Sequence, residues 1–188
     1  EAPDRFSHAV REALETELPA LRPANIRCRS HMAEYFGDEA LVRILMRITK
    51  RGSQGVLLKA ADTPVIRSAV AEVRKMGVPV IAFATEIGGG HDVPYVGMQN
   101  QQAGATAAWC MGNVLGSRQG KILVTLSSAQ FRGEQIRLNA FQRVMREEFG
   151  TFEIVVVSEG FGLDRKTAEL ARQTLASDGS INAVYSSG

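Results

Sequence analysis

Residues 121–126 run Lys121-Ile122-Leu123-Val124-Thr125-Leu126, five apolar or β-branched side chains in a row after one lysine. A strand with one face in water alternates apolar and polar residues; this one does not. Near-continuous apolar character marks a strand covered on both faces, which is the situation in a parallel sheet flanked by helices. Two other stretches read the same way: Val78-Pro79-Val80-Ile81-Ala82-Phe83 and Glu153-Ile154-Val155-Val156-Val157. Shorter runs complete the set, so strands are expected at 26–29, 56–58, 80–83, 122–126, 154–157 and 183–185.

Amphipathic stretches fill the gaps. Apolar stripes at helical spacing are Phe6, Ala9, Val10, Ala13 and Leu14; Leu41, Ile44, Leu45 and Ile48; and Val65, Ile66, Ala69, Val70 and Val73, the last ended by Gly77. They continue with Ala103, Ala107, Cys110, Met111 and Val114, ended by Gly116; Ile136, Ala140, Phe141 and Val144, ended by Gly150; and Ala168, Ala171, Thr174 and Leu175. Repeated βα units predict an α/β fold built from open, doubly wound parallel sheets. The series opens with a helix and stops at the strand Ala183-Val184-Tyr185, so a first strand is expected upstream of Glu1 and more of the core after Gly188. After Phe83 the chain becomes turn-rich (ATEIGGGHDVP) and then runs Tyr95-Val96-Gly97-Met98-Gln99-Asn100 into a helix, with a short strand at Tyr95-Val96 expected to finish one sheet. This divides the chain into an N-terminal lobe, 1–100, and a C-terminal lobe, 101–188, both incomplete. Open α/β sheets bind ligands at the carboxyl ends of their strands, so two facing lobes predict a cleft.

Composition narrows the function classes. The chain has 188 residues, 45% hydrophobic and 22% charged, as expected for a globular protein with a core. Lys+Arg 22 against Asp+Glu 20 leaves a net charge of +2, so no basic field marks a nucleic-acid surface. No apolar run approaches the ~20 residues a membrane span needs, and the charged start EAPDRFSHAV is no signal peptide. Cys28 and Cys110 stand far apart, which argues against a disulfide framework and for a reducing, cytoplasmic setting. His8, His31 and His91 show no ligand spacing, so neither a metal nor a cofactor is expected.

Position in the chain decides what individual residues can do. Gly88-Gly89-Gly90 reads as a turn, because no helix follows at once to present amides to an anion. The stretch from Gly116 to Lys121 leaves a helix and enters a strand, the reverse of a phosphate-binding loop. Ser127 and Ser128 follow a strand but lack a nucleophile elbow or a histidine partner, so no enzyme is predicted. Asn100 opens a helix, where it serves either as an N-cap or as a ligand contact. Gly104 lies inside that helix at a cost of about 1 kcal/mol relative to alanine, which points to close packing. Arg137 is the most informative residue. At ~100° per residue it falls within roughly 40° of the centre of the apolar face carrying Ile136, Ala140, Phe141 and Val144. A guanidinium there needs acceptors, either a ligand or a partner across the lobe interface. Arg5 and Phe6 lie at the mouth of the first helix. Thr85 and Glu86 follow the carboxyl end of the strand Val80–Phe83.

Taken together, Tyr95-Val96-Gly97-Met98-Gln99-Asn100, Ala103-Gly104 and Ala107-Ala108 resemble the pattern YVGxDNxxAGxxAA. That pattern is typical of effector-binding domains of the lactose-repressor (LacI/GalR) family of bacterial transcription regulators. Arg137-Leu138-Asn139-Ala140-Phe141 resembles the family's RLxGF segment, and INAVYSSG the segment before a ligand-facing turn. The resemblance implies a periplasmic-binding-protein type I fold, two lobes around a small polyhydroxylated effector (a sugar, polyol or sugar acid). It places Arg5, Phe6, Phe131 and Arg137 against that ligand. Ala84 and Thr85 stand where many sugar binders carry an Asp-Arg pair, so Thr85 or Glu86 would substitute, and Gln99 replaces the usual aspartate. It further implies a homodimer that couples the effector to operator DNA through a headpiece outside this chain. The alternative is a periplasmic receptor of a sugar ABC transporter.

Overall fold

The computed structural model of the chain describes residues 5–21, 23–31, 37–90, 93–116, 118–129, 131–150, 152–158, 160 and 164–187. Two three-stranded sheets account for the strands among the described residues. The first joins β1 (Val56–Leu58), β2 (Val80–Phe83) and β3 (Tyr95–Val96) in that order, all parallel, with Val56 opposite Val80 and Ala82 opposite Tyr95. The second joins β4 (Gly120–Thr125), β5 (Phe152–Val157) and β6 (Ile181–Ser186) in the order β5-β4-β6, again all parallel. Parallel pairing requires crossovers, and helices supply them. The helices are α1 (Arg5–Glu17) and α2 (Asp38–Lys50), both before β1; α3 (Pro64–Lys75), which crosses from β1 to β2; α4 (Asn100–Leu115), which leads from β3 to the second sheet; and α5 (Arg132–Val144) and α6 (Asp164–Ser177), which cross from β4 to β5 and from β5 to β6. The α/β class with doubly wound parallel sheets is the one the alternating pattern predicts.

Each sheet has its own core. Leu45 of α2 and Ile66, Val70 and Val73 of α3 bury against Leu58, Val80 and Ala82. The helix α3 starts sharply because Thr63 caps it, its Oγ1 accepting the Ile66 amide at 3.3 Å, and Pro64 pre-sets the first turn. It stops at Gly77, whose φ of +80° few other residues adopt. In the second unit Phe141, Leu138 and Val144 of α5 and Ala108 of α4 bury against Ile122 and Val124, and the Phe141 ring stacks on Tyr185 with centroids 4.5 Å apart.

Several expectations are corrected. Ile26–Arg29 is irregular and exposed rather than a strand; an isolated strand leaves its backbone groups without a ladder, and no described segment pairs with it. Cover on both faces holds for β4, buried from Ile122 to Thr125, but Leu57 and Ile81 of the first sheet and Val156 and Val184 of the second face outward. The stripe of α1 is not core: Phe6, Ala9 and Ala13 are exposed. The stripe of α6 is likewise partly exposed. In α4 the buried face is Asn100, Gly104, Ala108, Gly112 and Leu115, not the predicted one, and Val114 is 80% exposed. Size, not hydrophobicity, selects that face. A Cβ on Gly104 would lie 2.1 Å from the Arg137 carbonyl oxygen of α5 and one on Gly112 2.4 Å from the ring of Phe149, just after α5, so glycine at both positions lets α4 approach these segments this closely.

Candidate functional site

The carboxyl ends of the first sheet's strands meet the amino ends of α4 and α5 and the end of β6. At the end of β2 the Thr85 amide donates to the Phe83 carbonyl at 2.7 Å, which closes a three-residue turn around Ala84 at φ +61°. That left-handed turn is rare for a residue with a Cβ and stores strain, which concentrates at sites over-determined by their surroundings. It presents the Ala84 carbonyl toward α5. Gly133, in the first turn of α5, fits beneath it: a Cβ there would lie 3.3 Å from the Ala84 oxygen and 3.0 Å from Asn100 Nδ2.

A hydrogen-bond chain crosses this junction. Asn100 Nδ2 donates to the Tyr95 hydroxyl at 3.3 Å, and that hydroxyl lies 3.4 Å from the Ala84 carbonyl and 3.3 Å from that of Met98, with one proton to give to either. Asn100 Oδ1 accepts from a terminal nitrogen of Arg137. The Arg137 fork closes on the Ser187 carbonyl, with Nε at 2.9 Å and its other terminal nitrogen at 2.6 Å. Of five guanidinium N–H groups these bonds engage three, leaving one on each terminal nitrogen. Beside this fork, burial pushes the Tyr185 phenol pKa up, while the Arg137 charge and Ser187 oppose the shift. Ser187 is buried, and its hydroxyl oxygen makes no hydrogen bond of ordinary geometry among the described residues.

A second set of charges bridges the two sheets nearby. Asp62, after β1, is almost wholly buried; Oδ1 accepts the Gly88 amide at 3.0 Å and lies 3.5 Å from Arg67 Nε, and Oδ2 lies 3.8 Å from a terminal nitrogen of Arg132. Arg132 Nε lies 3.8 Å from Glu86 Oε2.

The sequence-predicted residues occupy distinct places. Arg137 and Asn100 are bonded to each other, and Asn100 is not the N-cap of α4: Gln99 holds that position, which turns the buried Asn100 side chain inward to Arg137 and Tyr95. Glu86 reaches Arg132. Thr85 is buried, its hydroxyl donated to the Ala60 carbonyl at 2.8 Å, where it stitches the ends of β1 and β2. Phe131 is the N-cap residue of α5, partly exposed, its amide bonded to the Ser128 carbonyl. Phe6 is half exposed and stacks on Phe83, centroids 6.3 Å apart, with Lys59 Nζ 5.0 Å from its ring. Arg5 opens α1, and its side chain lies outside the described residues. Ser127 and Ser128 are buried, their amides aimed at Glu134 Oε2 at 2.7 and 3.4 Å.

The junction also holds Asp62, Tyr95, Arg132 and Ser187, which the sequence does not mark as site residues. Asp62 and Ser187 each follow a strand's carboxyl end, the same positional signal that points to Thr85. Nothing in the sequence pairs Arg132 with residues 46 to 70 positions away.

A family model described as a periplasmic binding protein domain matches residues 2–188. No curated protein sequence matches the chain. Among solved structures, an ABC-transporter periplasmic solute binding protein from Actinobacillus succinogenes with bound D-allose is 14% identical with a TM-score of 0.83, covering 100% of this chain and 66% of that one. A glucose-galactose binding protein from Geobacillus stearothermophilus is 20% identical with a TM-score of 0.79, covering 99% and 65%. A putative LacI transcriptional regulator from Bacteroides fragilis is 13% identical with a TM-score of 0.78, covering 97% and 64%. At these identities the likeness is one of fold, and the chain spans just under two-thirds of the length of these relatives.

Proposed function

Because the chain belongs to the periplasmic binding protein domain family, we propose that it binds a small polyhydroxylated solute, a sugar, polyol or sugar acid, between its two parallel sheets. One observation carries this reading. The Arg137 guanidinium sits among the carboxyl ends of strands from both sheets, and among the described residues its bonds to Asn100 and Ser187 leave one N–H on each terminal nitrogen unengaged. Vicinal hydroxyls or a carboxylate match that fork. Asn100 and Ser187 hold it in one rotamer, which lowers the ordering cost of binding. Phe6 on Phe83 offers an aromatic face, and Arg5, Thr85, Glu86 and Phe131 border the same region in this reading. No catalytic step, cofactor or metal enters it. The solved relatives named above include one with bound D-allose and a glucose-galactose binding protein, which supports the solute class.

Two outputs fit this recognition. The motif order from Tyr95 to Ala108, followed by the Arg137–Phe141 segment, favours the effector domain of a LacI-type cytoplasmic regulator. There the chain pairs as a homodimer, and the solute shifts the lobes and so a headpiece on operator DNA. The likeness to transporter solute binding proteins favours a periplasmic receptor instead. Sequence upstream in the same gene separates them: a helix-turn-helix supports the regulator, a signal peptide the receptor. Solute binding itself is tested by a thermal-shift screen of sugars, polyols and sugar acids, since a ligand that binds only the native state raises its stability. A hit that disappears in Arg137→Ala supports the assignment; a hit of equal size in that variant overturns the pocket.

A further inference from the structure

We propose that Arg132 is an ionic latch across the cleft, pairing with Asp62 and Glu86 of the opposite sheet to bias the two lobes toward closure. The inference rests on the two-lobe solute-binding reading and adds a control on that same site.

Arg132 stands in the first turn of α5, in the second lobe, and is half exposed. Both its carboxylate partners belong to the first lobe: Asp62 follows β1, and Glu86 follows β2. The carboxylates differ in a way that makes the contact reversible. Asp62 is buried, and a buried carboxylate left alone is costly. It is not left alone when Arg132 withdraws, because Arg67 of α3 and the Gly88 amide, both in its own lobe, remain on Oδ1. Glu86 is more exposed and can be hydrated. Separation therefore breaks two ion pairs without stranding a charge. The turn at Gly89 lies in ordinary contact with the Arg132 guanidinium, a Cβ there falling 3.7 Å from its terminal nitrogen. Pairs at 3.8 Å on a half-exposed side chain are individually weak and screened by salt. That suits a bias on an equilibrium rather than a permanent clamp. Closure would thus weaken as ionic strength rises, and solute affinity with it, because a ligand that needs the closed state inherits its population.

The test needs no ligand. Nitroxide labels at Ser68→Cys of α3 and Arg172→Cys of α6, in a Cys28→Ser, Cys110→Ser background of the 188-residue chain, report the distance between lobes by pulsed electron resonance. Raising salt from about 0.01 to about 1 M shortens the screening length from roughly 30 to 3 Å. The latch predicts a shift toward longer distances over that range. Arg132→Gln should show the long distances already at low salt, with an open-to-closed ratio roughly two- to five-fold higher, the size exposed pairs give. Glu86→Gln should move part of the way, and Arg132→Lys should keep the salt response. Arg132→Gln with the distances and salt response of the parent overturns the latch, provided far-ultraviolet dichroism shows it folded; if it does not fold, an unchanged Glu86→Gln overturns it equally. Because the distances are read without solute, failure of the sugar screen and failure of the latch are separate results.

Discussion

The Arg137 guanidinium grips the carbonyl of Ser187 with two N–H groups, at 2.9 and 2.6 Å, across fifty positions of sequence. It thereby ties the middle of α5 to the end of β6, while its remaining terminal nitrogen holds Asn100 at the start of α4. One side chain thus sets the relative position of three elements and presents its leftover donors in a fixed direction.

Arg137→Ala should therefore do two things. It removes the proposed solute contact, and it leaves the buried Asn100 Oδ1 without its donor. The second effect costs about 1–3 kcal/mol, or a fall in Tm of roughly 2–4 °C per kcal/mol for a chain of this size. Arg137→Lys keeps the charge but not the fork, and should retain most of the stability while losing most of the affinity for a hit from the sugar screen. Calorimetry of both variants checks this; equal affinity for Lys and Arg would show that the fork is not what the solute reads.

Gly104→Ala should destabilise the second unit. The added carbon meets the Arg137 backbone oxygen at 2.1 Å, and a backbone atom cannot swing aside as a side-chain tip can. Overpacking of this kind costs about 1–3 kcal/mol, although alanine is the better helix former. Thermal denaturation showing a stabilised Gly104→Ala would mean that α4 and α5 do not pack as closely as described.

Thr85→Val keeps the shape of the side chain and removes its hydroxyl. The Ala60 carbonyl then loses a 2.8 Å partner inside the junction between β1 and β2. We expect a stability loss of about 1–3 kcal/mol with little change in solute affinity. Strongly weakened binding with unchanged stability would make Thr85 a solute contact rather than a stitch between strand ends.

Asp178 carries a pH dependence away from the junction of the two sheets. The Ser180 hydroxyl, with help from Lys121 at 2.9 Å, lowers its pKa from 3.8 to about 2. A carboxyl depressed on folding contributes stability above its unfolded value and loses it as pH falls through the folded one. Wild type should therefore exceed Asp178→Asn in Tm by the widest margin above pH 3.8, and the gap should close as pH falls through about 2. A gap that stays constant over that range would contradict the shift.

Arg137 shows how far a one-dimensional reading reaches. A charged residue near the centre of an apolar helical face must find acceptors inside, so its inward orientation was legible from spacing alone. Its partners were not. Ser187 and Asn100 lie fifty and thirty-seven positions away, and contacts at such separation depend on strand order, which no local pattern encodes. Asn100 makes the same point from the other side. As a helix-opening asparagine it reads as a cap, yet the helix starts one residue earlier and its amide serves the junction.

The identity of the strands β1 to β6, the helices between them and the α/β class followed from the sequence itself, because hydrophobic periodicity is a local consequence of burying one face of an element. Which face of α4 is buried, why Ile26–Arg29 forms no ladder, and which charges meet between the two sheets were decided only in three dimensions. Those outcomes depend on how closely two backbones approach and on which strands are neighbours. Excluded volume and hydrogen-bond pairing act between residues far apart in the chain, where periodicity is silent.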